Sequence, residues 1–314
     1  MRTATSAVSP ALSRRTLLGG ALGGAALLSA GCTDSTTRAT NAAVPATTTP
    51  DESTWRITNG RINQSVVGWC FNPMETVTLA KAAAQLGFKS VELVDPKHWP
   101  MLKEAGLTCA IAGSHGFVKG FNHVENHQMC VQKISEQIER SAAFGCPNVI
   151  TFSGMREGIS DEEGIKNCVA GIKQVVGLAE QKGITICMEV LNSRVNENMK
   201  GHPDYQADRI EFAVEICKQV GSPRMKILFD IYHTQIMQGD VITRIKQYHE
   251  YVGHYHTAGV PGRGELDDTQ EINYPAVMKA ILATGYKGFV GQEFIPTWPD
   301  KVKALRHAAR VCDV

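Results

Sequence analysis

From residue 62 onward the chain repeats one pattern: a short apolar run, a polar loop, then a longer amphipathic stretch. The apolar runs are Ile62 to Gly68, Ser90 to Val94, Leu107 to Gly113, Asn148 to Ser153, Ile184 to Leu191, Met225 to Asp230, Val252 to Thr257 and Gly288 to Phe294. Helical periodicity is clearest at Glu75 to Leu86, Val124 to Phe144, Asp161 to Gln181, Asp208 to Val220, Pro275 to Ala283 and Lys301 to Val311. Several of these stretches stop at a glycine (Gly87, Gly145, Gly183, Gly221, Gly285), the residue a helix favours just past its last turn. Eight strand–helix units in roughly 260 residues predict an α/β fold of the (β/α)8 TIM-barrel type. A doubly wound sheet would more naturally open with a phosphate-binding glycine loop after its first strand, and Val67-Gly68-Trp69-Cys70-Phe71 stands there instead.

The N-terminal residues have a different character. Ser13-Arg14-Arg15-Thr16-Leu17-Leu18 leads into an apolar, glycine-rich run from Leu17 to Gly31 that ends at Cys32. With about 15 weakly apolar residues against the ~20 of a spanning helix, the run is expected to act as a targeting peptide rather than a retained anchor. It resembles a twin-arginine export signal, which implies a periplasmic or membrane-tethered protein. Residues 1–32 are assigned to that signal. A lipid on Cys32 would be the one link to a membrane, and an ordinary cleaved signal fits equally, because Ser29 stands where lipoprotein sites usually carry Leu. Residues 33–54, rich in Thr, Ala and Pro, have little to bury and are expected to form a flexible tether, leaving 55–314 as the barrel domain.

Lys and Arg number 32 against 31 Asp and Glu, so no basic excess exists to attract nucleic acid. Eight cysteines fall after residue 54 without a CxxC pair, several inside apolar runs such as Ile184 to Met188, and are expected to be small buried hydrophobes. Folding in the reducing cytosol before twin-arginine export would keep such thiols free.

In a barrel of this type, reactive groups stand at the C-terminal ends of the strands. Glu189, Asp230, His256 and Glu293 stand at or near the ends of the last four apolar runs, where an unpaired charge is costly. One acid at a strand end serves as readily as a helix cap or ion-pair partner. Four on consecutive strands surround one mouth, and three carboxylates with an imidazole suit a single divalent metal: Mn2+ or Mg2+ first, with Co2+ or Zn2+ next. His115, after the third run, is placed near the mouth as a substrate-hydroxyl ligand or a loop-structuring residue. His254 is expected to face away from His256 and pack outward or under a helix. Trp69, Phe71 and Trp99 are candidates for an apolar wall or for core packing.

Those four ligands, with Glu189-Val190-Leu191-Asn192, Asp230-Ile231-Tyr232-His233 and Pro261-Gly262-Arg263-Gly264-Glu265, resemble the sugar isomerase and epimerase barrels related to xylose isomerase and endonuclease IV. The opening Gln64 to Phe71 is similar to hydroxypyruvate isomerases within that group. The resemblance implies that Glu189 and Glu293 act both as metal ligands and as the acid/base pair, and that His233, Arg263 and Asn192 contact substrate. Endonuclease activity is disfavoured, since a three-metal, His-rich site is not present. The expected activity is therefore isomerisation of a small keto or aldo carbohydrate through an enediolate, with hydroxypyruvate to tartronate semialdehyde as the nearest named reaction. A ketose 3-epimerase and a non-catalytic sugar-binding barrel are the alternatives. The expected partner is a small carbohydrate or keto acid, and a homo-oligomer is compatible with this.

Overall fold

The structure is a computed structural model that describes residues 54–314. The segments expected to form a targeting peptide (1–32) and, but for Thr54, a tether (33–54) lie outside the described residues.

Eight parallel strands form the barrel wall: β1 (Asn63–Val67), β2 (Ser90–Glu92), β3 (Ile111–Ala112), β4 (Asn148–Thr151), β5 (Thr185–Glu189), β6 (Met225–Asp230), β7 (Val252–Thr257) and β8 (Phe289–Gln292). Their order is β2-β1-β8-β7-β6-β5-β4-β3. The seam between β2 and β3 is joined by a Ser90–Thr108 bridge. Val91 N–H donates to the Thr108 carbonyl at 3.1 Å and Leu93 N–H to that of Ile111 at 3.2 Å, so the ring is nearly closed. Consecutive strand residues such as Val149 and Ile150, or Leu228 and Phe229, are both buried, as strands with packed interiors and helix-covered exteriors require.

The helices follow the periodicity with local departures. Helices Thr76–Leu86 and His127–Phe144 end at Gly87 and Gly145, whose φ of 89° and 94° lies in the left-handed region that a Cβ disfavours. Ser160 caps the helix from Asp161 by accepting from Glu163 N–H at 3.2 Å, and Asp300 caps the last helix through Lys303 N–H at 2.9 Å. The stretch expected as one helix from Asp161 to Gln181 is two, Asp161–Ile172 and Val176–Lys182, with the break lying between Gly171 and Gly177. Two helices after β6, Ile231–Met237 and Val241–Tyr248, were not marked by periodicity. The first begins directly at Asp230, so the strand pattern runs into it without a polar loop.

All eight described cysteines are buried and free, as expected of small apolar side chains. Among the described residues, no helix is long and apolar enough to cross a membrane.

Candidate active site

The barrel brings Glu189 from the end of β5, Asp230 from the end of β6, His256 from β7 and Glu293 from just beyond β8 into one buried cluster. Each offers a ligand atom within 4.8 Å of the others. His256 Nδ1 lies 2.9 Å from Glu293 Oε2, 3.2 Å from Glu189 Oε1 and 4.0 Å from Asp230 Oδ2. Asp230 divides its two oxygens. Oδ1 caps the following helix by accepting from His233 N–H at 2.8 Å, while Oδ2 has no hydrogen-bond partner among the described residues. The strand end therefore serves as helix cap and cluster member at once.

Three buried carboxylates this close repel one another. Burial, then the Glu293 charge, raises the Glu189 pKa, and the same two causes push Asp230 well above the usual carboxylate range. Burial also opposes ionisation of Glu293, but Arg263 and then His256 outweigh it and hold that carboxyl well below its ordinary value. For His256, burial disfavours the charged ring, while Glu293 and hydrogen bonds to Glu189, Glu293 and Glu92 carry it well above the usual histidine value.

The donor set fits a divalent cation. It supplies hard oxygens and one nitrogen, concentrates negative charge where burial makes that charge costly, and includes the orphaned Asp230 Oδ2.

Arg263 is 2% exposed and places Nη2 2.6 Å from Glu293 Oε2. Its Nη1 donates to the Met199 carbonyl. The guanidinium lies over the rings of Trp69 and Tyr232, 5.2 and 5.6 Å from their centroids. Arg263 Nε has no hydrogen-bond partner among the described residues. The loop carrying this arginine is tied down by Glu265, which accepts from Thr297 N–H at 2.6 Å and Trp298 N–H at 2.9 Å.

Glu189, Glu293 and Arg263 line a cavity of about 320 Å³ together with Trp69, His115, Phe117 and His202. That size is at the small end for ligand pockets. His115 is thus at the mouth, but both ring nitrogens are engaged: Nε2 meets Thr151 Oγ1 at 2.9 Å, and Nδ1 meets the Gly116 and Lys119 carbonyls at 3.0 and 3.1 Å. It is a fixed part of the wall, and burial lowers its pKa. His233 is fully buried and accepts at Nδ1 from the Asn192 backbone at 3.0 Å and its side-chain amide at 2.6 Å, which puts the ring proton on Nε2. Burial, then the Arg263 charge, lowers its pKa well below the usual value. Asn192 is buried and organises its own loop, accepting from Val195 N–H at 3.0 Å and donating to the Lys200 carbonyl at 2.8 Å. His233 and Asn192 adjoin the cavity residues but do not themselves line it.

Trp69 is part of the cavity wall, whereas Phe71 packs edge-on against Phe294 at 5.6 Å and Trp99 against Phe144 at 5.1 Å. The expectation for His254 is corrected. Residues two apart on a strand share a face, and His254 Nε2 and His256 Nε2 both reach Glu92 Oε1, at 2.9 and 3.0 Å. Glu92 itself went unmarked, although an acid in the apolar run Ser90 to Val94 is the signal that marks Glu189, Asp230 and Glu293. It is fully buried; burial opposes its ionisation, but His254 and His256 hold its pKa down to about 2. His202 also went unmarked. It stacks on Phe117 at 4.2 Å and its pKa falls to about 4 through burial and then the Arg263 charge.

The family described as xylose isomerase-like TIM barrel matches residues 80–313, and the chain belongs to it. A human protein provisionally named hydroxypyruvate isomerase is 28% identical over 252 residues, covering 73% of this chain and 88% of that protein. A 2-oxo-tetronate isomerase from Pectobacterium atrosepticum is 28% identical, with 69% of this chain and 85% of the relative covered. The crystal structure of a family 2 AP endonuclease from Brucella melitensis aligns with a TM-score of 0.65 at 25% identity, covering 76% of this chain and 95% of that one. With relatives named as isomerases along most of its length, the chain is an isomerase.

Proposed function

We propose that this isomerase binds one divalent metal through Glu189, Asp230, His256 and Glu293 and shifts the carbonyl of a small hydroxy-keto acid by one carbon. The observation that carries the proposal is the four-residue donor cluster at the strand ends, two of whose carboxylates open into a small cavity beside a buried arginine. A bound Mn2+ or Mg2+ would supply charge stabilisation for an enediolate whose two oxygens sit on adjacent carbons.

The residues account for the remaining chemistry. A proton leaves the hydroxyl-bearing carbon beside the carbonyl and a proton is delivered to the former carbonyl carbon, while the hydroxyl proton passes to the former carbonyl oxygen, so the C=O moves and atoms and charge balance. Glu189 and Glu293, both lining the cavity from separate strands, are positioned to take and return that proton. Arg263 offers a positive charge inside the cavity for a substrate carboxylate, and its stacking between Trp69 and Tyr232 limits its freedom before substrate arrives. Hydroxypyruvate and 2-oxo-tetronate, the acids in the relatives' names, both have this hydroxy-keto acid pattern. A neutral ketose would bring no charge of its own to the guanidinium, which would keep Glu293 as its ionic partner.

Export by the twin-arginine route is part of the same proposal, supported by Arg14-Arg15 before the apolar run. The test of function is a substrate panel. Mg2+-loaded protein incubated with hydroxypyruvate, 2-oxo-tetronate and neutral ketoses of similar size should convert the acids with the higher kcat/KM; preference for the neutral sugars would favour the ketose epimerase alternative.

A further inference from the structure

We propose that Glu92 is a positioning residue for the metal centre, using one carboxylate oxygen to hold the His256 ring so that Nδ1 faces the ligand cluster. The inference deepens the reading of His256 as a ligand and rests on it.

Glu92 Oε1 is shared by His254 Nε2 at 2.9 Å and His256 Nε2 at 3.0 Å, and all three side chains are fully buried. A carboxylate oxygen accepts, so each imidazole must carry its proton on Nε2. Without metal, Nδ1 donates in turn to Glu189 Oε1 at 3.2 Å and lies 2.9 Å from Glu293 Oε2; with the Nε2 proton held by Glu92, the Nδ1 proton is the one a metal would replace, leaving that lone pair facing the cluster. Fixing the hydrogen bond on one ring nitrogen thereby selects the other for the metal, and also sets the ring's orientation.

The barrel is built to let this contact form. Glu92 belongs to β2 and His256 to β7, with β1 and β8 between them in the sheet. Gly291 of β8 pairs in register with His256. A Cβ at Gly291 would lie 2.2 Å from Glu92 Oε1 and 2.9 Å from His256 Cδ2, so any larger residue would push the carboxylate off the ring. His254 donates to the same oxygen and so completes its coordination from the same strand as His256. Glu92 Oε2 and His254 Nδ1 have no hydrogen-bond partners among the described residues, so the shared oxygen is the point through which the three residues act.

The test uses the full chain with 15N-labelled histidine. Long-range 1H–15N correlation spectra, recorded before and after Mg2+ addition, should show Nε2–H on both His254 and His256, slow to exchange with solvent in each state. Calorimetric titration with Mn2+ should give one site. Glu92→Ala should weaken that site about 10- to 100-fold and abolish the exchange protection of both Nε2–H groups. Glu92→Gln, which keeps an oxygen acceptor, should recover part of both. Gly291→Ala should weaken Mn2+ binding in the same direction, and together with Glu92→Gln it carries the test if Glu92→Ala does not fold. Wild-type Mn2+ affinity in all variants that fold, ligation of His256 through Nε2, or a second equivalent of Mn2+ bound by Glu92, His254 and His256 would overturn the proposal. A His256→Ala variant that keeps its metal would instead sink the ligand reading, while the wild-type Nε2–H signals would still report on Glu92.

Discussion

Arg263 and Glu293 form an ion pair of 2.6 Å, 2% and 4% exposed at their side chains, and both line the cavity that Glu189 shares with them. Breaking such a pair from one side leaves a buried carboxylate beside two others. Arg263→Ala should therefore destabilise the metal-free protein by about 3–5 kcal/mol, measured by urea unfolding. For catalysis, the same variant should raise KM more for carboxylate-bearing substrates than for neutral ones, because a lost charge partner hurts an anion most. Equal losses for both would remove the argument for an acidic substrate.

Metal binding should be visible as stability. Wild-type protein at a hundred times the metal Kd should gain about 2.7 kcal/mol by mass action. Asp230→Ala and His256→Ala should lose most of that gain, and elemental analysis after dialysis should find them depleted. Unchanged metal content in both would contradict the four-ligand site.

The strand-end acids and His256 are legible because each is an ionisable group at or near the end of an apolar run, a placement whose cost demands a partner. Glu92 carries the same cost and, like Glu189, sits inside its run, with Val91 before it and Leu93 after, but it lies on the second run and the pattern of consecutive acids covers only the last four. His254 was misplaced by counting two residues as a change of face. His202 and Phe117 meet only through the folding of two loops, which leaves no periodicity in either segment. The helix pair after β6 was hidden for a related reason: Asp230 ends the strand and caps the helix, so no loop marks the boundary.

Asp313 ties the chain's end to the approach to β1. Its carboxylate accepts from the backbone N–H groups of Thr58 at 2.7 Å and Gly60 at 3.0 Å. Burial opposes ionisation, but the backbone hydrogen bonds from Thr58, Asn59 and Gly60 outweigh it and lower the pKa below its usual 3.8. A depressed folded pKa means stability that is present above the unfolded value and lost as pH falls through the folded one. Asp313→Asn should therefore unfold more easily than wild type at neutral pH, with the gap closing as pH drops below 3.8. A gap independent of pH in urea melts would remove the charge from that account.

The N-terminal assignment has its own check. Changing Arg14→Lys together with Arg15→Lys should abolish export of a folded reporter fused to residues 1–54, and continued export would show that another route is used.

Proton transfer by the two glutamates is tested most directly by deuterium exchange in Glu189→Gln and Glu293→Gln, loaded with Mg2+ and followed by NMR in D2O with hydroxypyruvate. Each substitution keeps the shape and one oxygen, so substrate should still bind while turnover falls by ~10² or more. The variant that retains the base should still exchange the substrate hydrogen beside the carbonyl without forming product, and the other should do neither. Full turnover in both variants, or turnover by the wild type with no deuterium entering the substrate or product carbon, would contradict a proton-transfer isomerisation by this pair.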